Sequence, residues 1–159
     1  MDMPTASIQS GHGALRKGRH SLPGHAYHVT VTTVGREGVF ADFDCARVAS
    51  ASFECQALLG DATLLAWVLM PDHVHWLVQL GQQDSLGGLI SRMKSASARN
   101  VNHVCGRSGA LWSRAFHDHA IRSEESLEQV AAYIIANPLR AKLATDIGNY
   151  PFWNSAWLL

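Results

Sequence analysis

Two histidines, His73 and His75, are separated by a single residue inside an apolar segment of the sequence. Because the side chains of an extended strand alternate between its two faces, both imidazoles point the same way and Val74 points the opposite way. Neutral imidazole is a common ligand of divalent metals, so two of them side by side on a rigid strand supply half of a metal site. Two packed or solvated histidines are the alternative interpretation.

Tyr133 and Asn137 form a second pair with chemical potential further along the chain. They are four residues apart, so on a helix they share one face. A tyrosine hydroxyl beside a metal can act as a nucleophile in phosphoryl transfer. On their own, the two residues also suit a helix boundary, with Asn137 capping the helix end before Pro138.

Four segments taken together resemble the REP-associated tyrosine transposases, an IS200-like branch of the single-tyrosine HUH transposases. These segments are Tyr27–Thr30, Leu69–His75, Leu111–Arg114 with His117 and Asp118, and Tyr133–Leu143. They occur in the family's order, with similar spacing, and span roughly residues 18–157. A single HxH or Asn-Pro is a weak signal, whereas the four segments in order are specific.

The resemblance implies a metal-dependent single-stranded DNA endonuclease and strand-transferase. It implies that His73 and His75 hold Mg²⁺ or Mn²⁺ and that Tyr133 attacks DNA, giving a 5′-phosphotyrosine link and a free 3′-hydroxyl. Asn137, one turn after the tyrosine, is expected to complete the metal site through its amide oxygen. The DNA partner expected from the family is a palindromic hairpin flanked by a conserved tetranucleotide, and the protein is expected to be a monomer.

Further residues are predicted to contact DNA or to line the site. Basic side chains would bind phosphates, which adds salt-dependent affinity and little sequence information. These side chains are Arg16, Lys17, Arg19, Arg92, Lys94, Arg99, Arg114 and Arg140. His28, His117 and Asp118 are predicted to line the site, although His117 and His119 also form a second HxH that competes as a metal site.

Composition indicates one globular domain with an uneven charge distribution. The 159 residues are 47% hydrophobic and carry no formal net charge. Residues 85–122 hold six basic residues and one acidic, whereas residues 35–84 hold two basic and seven acidic. One basic surface on an otherwise neutral protein is therefore expected.

No apolar run approaches the roughly 20 residues of a membrane-spanning helix, and no signal segment precedes the domain. A cytoplasmic, nucleoid-associated location without a membrane partner is expected. The three cysteines, Cys45, Cys55 and Cys105, lack CxxC spacing. Buried or free thiols are expected for them, and not disulfides or a zinc site.

The predicted elements that position these residues follow the order strand, helix, strand, strand, helix, strand, helix. The strands are predicted at 27–34, 64–70, 73–80 and, irregularly, 111–122; the helices at 42–59, from a Ser85 cap, and from a Ser123 cap. This order predicts an α+β, ferredoxin-like split βαβ antiparallel sheet. The family resemblance implies that this sheet belongs to the HUH endonuclease fold. A basic arm at 1–22 would precede the domain at 23–149, and a tail at 150–159 would follow it.

In this topology the first and third strands are neighbours, so His28 and Thr30 are predicted to border His73 and His75. Three other functions fit the same residues. A dimeric insertion-sequence transposase would share the chemistry, and a hairpin-binding protein would bind DNA without cleaving it. A small HxH zinc hydrolase would use bound water and be indifferent to Tyr133→Phe.

Overall fold

A computed structural model describes residues 21–157, which form a five-stranded antiparallel sheet with helices on both faces. The strands are β1 (Ala26–Thr32), β2 (Thr63–Met70), β3 (His73–Gln79), β4 (His117–Ala120) and β5 (Trp153–Ser155). The helices are α1 (Phe43–Phe53), α2 (Gln56–Leu59), α3 (Leu86–Val104), α4 (Leu127–Ile135) and α5 (Asn137–Arg140), with 3₁₀ turns at Val34–Arg36, Val39–Ala41 and Ile147–Asn149. Arg16, Lys17 and Arg19 lie outside the described residues.

The strand order is β4-β1-β3-β2-β5, and every neighbouring pair is antiparallel. The first four strands follow the split βαβ order of a ferredoxin-like sheet. The predicted α+β fold is therefore confirmed. β3, which carries both histidines, occupies the centre of the sheet between β1 and β2.

Alternation along β3 divides its side chains between two hydrophobic cores. One core lies beneath α1 and α3 and takes three fully buried residues of β3, namely Val74, Trp76 and Val78. The other face carries His73, His75 and Leu77, and Leu77 is buried against α4. Full burial of a side chain of this size stabilises the fold by about 1.5–3 kcal/mol. The register of β3 is thus held from both sides, which fixes the face on which the histidines stand.

Helix ends confirm some sequence predictions and correct others. Asp42 caps α1 and Ser85 caps α3, the latter as predicted, and each accepts a backbone N–H. The helix predicted to run to Leu59 is interrupted at Glu54 and Cys55. There the Glu54 carboxylate accepts hydrogen bonds from Trp67 of β2 and Asn154, a long-range contact that local pattern does not reveal.

Two further boundaries differ from the prediction. The third long helix begins after Ser126, whose hydroxyl accepts the Gln129 N–H, and not after Ser123. The Glu125 carboxylate accepts a hydrogen bond from the Arg122 N–H. This bond closes a turn at residues that were predicted to form the first turn of the helix. Of the predicted strand at 111–122, β4 forms and Trp112 makes an isolated bridge to Thr33. Between them, the carbonyls of Ser113 and Arg114 accept hydrogen bonds from the Lys94 ammonium.

The segment after residue 149 contributes to the sheet. β5 pairs with the outer edge of β2, and the Tyr150 hydroxyl donates to the Leu69 carbonyl. Trp153 and Trp157 pack against the core beneath α4. Both tryptophans are thus half-buried in the protein. In the part of the chain from 21 to 157, no helix combines the length and apolar character needed to cross a bilayer.

The expectation of unpaired thiols is wrong for two of the three cysteines. Cys45 near the start of α1 and Cys105 after α3 form a disulfide, with Cα atoms 6.1 Å apart. The packing of α1 against α3 brings together residues 60 positions apart, which sequence spacing cannot show. Cys55 is free and exposed.

This pairing makes a prediction about thiol counts. Alkylation of the protein unfolded in guanidinium without reductant is expected to label one cysteine, Cys55, because the other two sulfurs are bonded to each other. Alkylation after reduction should label all three. Intact mass spectrometry reads both numbers, and three labels in the unreduced sample would contradict the pairing.

Candidate active site

The two histidines of β3 lie side by side on the face of the sheet that faces α4. Their ring centroids are 5.0 Å apart, with the rings nearly perpendicular. In the neighbouring strand β1, Thr32 pairs with His73 and Thr30 pairs with His75, as the predicted topology requires. Hydroxyl and imidazole groups therefore line a polar strip along a sheet whose other face is apolar.

The Nδ1 atom of each histidine is engaged by a neighbour. His73 Nδ1 donates to Asp72 Oδ1 at 2.7 Å. His75 Nδ1 lies 2.9 Å from His28 Nε2 and 3.1 Å from Thr30 Oγ1. Such partners fix ring orientation and tautomer, and they leave Nε2 as the atom that each ring offers to a metal.

The surroundings of His75 keep its imidazole in the neutral form. Burial, reinforced by His28, His73 and Arg140, lowers the pKa of His75 to about 3. Burial and the neighbouring His119 also lower the pKa of His28. His75 is consequently neutral at physiological pH, and metal binding requires neutral imidazole.

Helix α4 carries Tyr133 and packs on the histidine face of the sheet, which is the face that carries His73 and His75. Ala131, Ile134 and Ile135 are buried in the core that also contains Leu77. The side of α4 that carries Tyr133 faces solvent, and 64% of this residue is exposed. An amphipathic helix with this register positions a phenol in solvent at the edge of the site.

Asn137 and Arg140 follow the bend at the end of α4, and both hold the region around Tyr133 in place. α4 gives way to α5 at Ala136, as Pro138 leads one to expect. The Arg140 guanidinium lies over the Tyr133 ring, 4.0 Å from its centroid, and donates to the Tyr133 carbonyl at 2.7 Å. Asn137 Nδ2 donates to the Ile134 carbonyl at 2.7 Å, so the amide oxygen is the atom that Asn137 can offer a metal.

Several observations place Tyr133 and the histidines in one region. Tyr133 and His28 line the same cavity, and His28 contacts His75 directly. Arg140 stacks on Tyr133, and its charge acts on His75. The predicted nucleophile and the predicted metal ligands thus share one face of the molecule.

The donor set fits a divalent metal of intermediate hardness. Two imidazole nitrogens and an amide oxygen leave coordination positions for phosphate oxygens or water. This mixed N/O set suits Mn²⁺ well, whereas Mg²⁺ prefers oxygen ligands and accepts the site less readily. The predicted set contains no thiolate, the ligand that structural zinc sites favour.

A second group of potential ligands lies elsewhere and does not fit a metal. Ligand atoms of Asp42, Cys45 and Cys105 lie within 4.8 Å of one another. Asp42 already accepts the backbone N–H of Cys45 to cap α1. The two sulfurs are bonded to each other, so neither is available as the thiolate that would bind a metal.

The strand register separates the residues predicted to line the site. His117 pairs with Thr30 and His119 pairs with His28, so both imidazoles stand on the histidine face. Asp118 pairs with Val29 and stands on the opposite face. An odd step along a strand reverses the face, so the register places Asp118 on the other face of the sheet from His73 and His75. His119 contacts Glu125 at 3.3 Å.

Most of the predicted phosphate-binding cations lie away from the histidines. Arg92, Lys94 and Arg99 belong to α3, which covers the other face of the sheet. Arg92 pairs with Asp84 and donates to the Leu58 carbonyl. Arg99 and Arg114 are exposed. Of the described set, Arg140 is the cation at Tyr133, and DNA contacts by the others remain predictions.

Sequence reasoning missed the contact between Asp72 and His73. Its signal was the position of Asp72 directly before His73, where a short acidic side chain reaches the ring Nδ1.

Replacing Asp72 with alanine is expected to weaken Mn²⁺ binding about 10- to 100-fold, the usual effect of losing such a partner. Isothermal titration measures it. Asp44→Ala removes the same charge from exposed α1 and should change nothing; equal affinities for both variants would contradict the role.

Comparison with known proteins gives a family to this arrangement. The family described as "Transposase IS200 like" matches residues 21–137, which include His73, His75, Tyr133 and Asn137. This chain belongs to that family. The resemblance inferred from the four sequence segments is therefore confirmed.

The chain is similar to the REP-associated tyrosine transposase of Escherichia coli K12, with 29% identity over 89 residues that cover 55% of this chain and 50% of that protein. A related Haemophilus influenzae protein is 26% identical over 98 residues, covering 55% of this chain and 56% of that protein. The chain thus spans about half the length of the curated relatives it matches.

A solved structure shares the fold. It shows a REP-associated tyrosine transposase bound to a REP hairpin, and it superimposes with a TM-score of 0.66. The match covers 85% of this chain and 79% of the other, at 22% sequence identity. At this identity the likeness establishes the architecture, and the bound hairpin is a property of that protein.

Proposed function

We propose that this IS200-like transposase cleaves and rejoins single-stranded DNA through a covalent 5′-phosphotyrosine at Tyr133. The observation that carries the proposal is that the exposed Tyr133 lines the same cavity as His28, whose ring contacts His75 of the histidine pair. The proposed substrate is a palindromic REP-type hairpin with its flanking tetranucleotide. Such a substrate places the protein at the bacterial nucleoid.

The proposed reaction is a transesterification. Tyr133 Oη bonds to phosphorus, the bond from phosphorus to the 3′ oxygen breaks, and the proton lost by the phenol is matched by one gained at the departing 3′ oxygen. A bound Mg²⁺ or Mn²⁺ would polarise the scissile phosphate and stabilise its developing charge. The released 3′-hydroxyl can later attack the phosphotyrosine, so strands rejoin without an external energy source.

The protein groups around the tyrosine suit these steps. His73 and His75, with Asn137 as the third ligand, would hold the metal. Arg140 holds the phenol ring by stacking and by its bond to the Tyr133 carbonyl, and it supplies positive charge where negative charge develops. In this proposal the tyrosine and the histidine pair of one chain serve the same active site, so the protein acts as a monomer.

The test incubates the protein with single-stranded oligonucleotides that carry a palindromic repeat and its flanking tetranucleotide, in Mg²⁺ or Mn²⁺. A denaturing gel should show a covalent protein–DNA band and a shortened strand ending in a 3′-hydroxyl. EDTA should remove both, and an oligonucleotide with a scrambled stem should give neither. Hairpin binding without any band would favour a protein that binds and does not cleave. Size-exclusion chromatography at several concentrations tests the monomer.

A further inference from the structure

A cavity of about 520 Å³ lies between the edge strand β4 and helix α4, with Tyr133 in its wall. The volume is in the range of small-ligand sites. The polar side chains around it come from three different parts of the chain: His28 and His119 from the sheet, Glu124 and Glu125 from the loop, and Gln129 from α4. We call it the β4–α4 cavity.

The charge of the β4–α4 cavity argues against a phosphate as its ligand. Glu124 and Glu125 are carboxylates, and like charges repel a phosphodiester. The cation nearest the nucleophile, Arg140, stacks on the Tyr133 ring and is not among the residues that line the cavity. Phosphate binding is therefore favoured outside the cavity, beside Arg140.

The shape and chemistry of the β4–α4 cavity suit a flat heterocycle. Ile121 and Val130 supply apolar wall, and the aromatic rings of His28, His119 and Tyr133 can stack on a planar ligand. Gln129 lies one helical turn before Tyr133, on the same side of α4, and its amide offers a donor and an acceptor. A carboxylate accepts hydrogen bonds only, so Glu124 favours a ligand that carries an amino group.

We propose that the β4–α4 cavity binds one nucleobase of the DNA strand, beside the phosphate that Tyr133 attacks, and that Gln129 and Glu124 select a base with an exocyclic amino group over thymine. The proposal deepens the proposed function and rests on it. Base selection next to the nucleophile would add sequence specificity that phosphate contacts cannot supply.

The test measures binding, so that it does not depend on cleavage. All proteins carry Tyr133→Phe, and fluorescence anisotropy follows hairpin oligonucleotides in which each single-stranded position is made abasic in turn. One position is expected to lose about 10-fold in affinity, the effect of removing one stacked base. At that position an amino base should bind about 10-fold better than thymine.

Added Gln129→Ala or Glu124→Gln should reduce this preference to less than about threefold, since each removes a hydrogen-bonding partner of the base. Glu128→Gln changes an exposed carboxylate of α4 that does not line the cavity and should leave the preference intact. The same affinity loss at every position, or no position sensitive to Gln129→Ala, would overturn the proposal.

The outcomes separate this proposal from the proposed function. A covalent adduct without base preference would remove the role of the cavity and leave the cleavage chemistry standing. Base preference without an adduct would keep the cavity and reject cleavage. No affinity for any oligonucleotide would overturn both.

Discussion

Replacing Tyr133 with phenylalanine is expected to abolish the covalent protein–DNA adduct and leave hairpin binding within about twofold. The substitution removes one oxygen, and the ring still stacks beneath Arg140. Loss of a nucleophile typically costs on the order of 10⁴-fold or more in rate, which puts the reaction below gel detection. Adduct yield on a denaturing gel and anisotropy binding of the same oligonucleotide measure the two effects.

The other two tyrosines of the chain provide matched controls. Tyr27 is buried, and its hydroxyl accepts the Leu22 N–H. The Tyr150 hydroxyl donates to the Leu69 carbonyl, and burial raises the pKa of Tyr150 to about 12. Tyr150→Phe should therefore still form the adduct. Cleavage that survives Tyr133→Phe would show that water is the nucleophile and favour the hydrolase interpretation.

Loss of either β3 histidine is expected to remove metal-dependent cleavage. His73→Ala and His75→Ala each delete a direct ligand, so each should lower Mn²⁺ affinity by more than the 10- to 100-fold typical of a supporting residue. Titration calorimetry and adduct yield across a range of Mn²⁺ concentrations measure the effect. Both variants should keep the fold, because the site is half-exposed and the cores do not depend on these rings.

The control for this pair is His103→Ala, which removes an exposed imidazole near the end of α3. It should match the unmodified protein in metal affinity and adduct yield. Near-normal cleavage by His73→Ala and His75→Ala, with circular dichroism unchanged, would place the metal site elsewhere and contradict the account.

The strands that hold the site were predictable because their pattern is regular. In β3, polar and apolar residues alternate from His73 to Trp76, so the face of His73 and His75 followed from a period of two. The neighbouring position of His28 and Thr30 followed from the topology, and their contacts with His75 are in the structure. Periodicity is a local feature of the sequence, and the neighbours of a strand follow from the order of the predicted elements.

Features set by long-range contact were not predictable. The break after α1 depends on Glu54 meeting Trp67, and the disulfide depends on α1 packing against α3. The start of α4 was misplaced because Ser123 and Ser126 are equally good caps, and the turn closed by Glu125 decides between them. Which cations face Tyr133 depends on which helix covers which face of the sheet.

The central claim is that Tyr133 is the residue that bonds to DNA. Digestion of the purified adduct with nuclease and trypsin, followed by tandem mass spectrometry, tests this directly. The peptide from Ser123 to Arg140 contains one tyrosine, Tyr133. A nucleotide mass on this peptide, assigned to Tyr133, is the predicted result. A nucleotide on any other residue, or cleaved DNA with no modified peptide, would contradict the account.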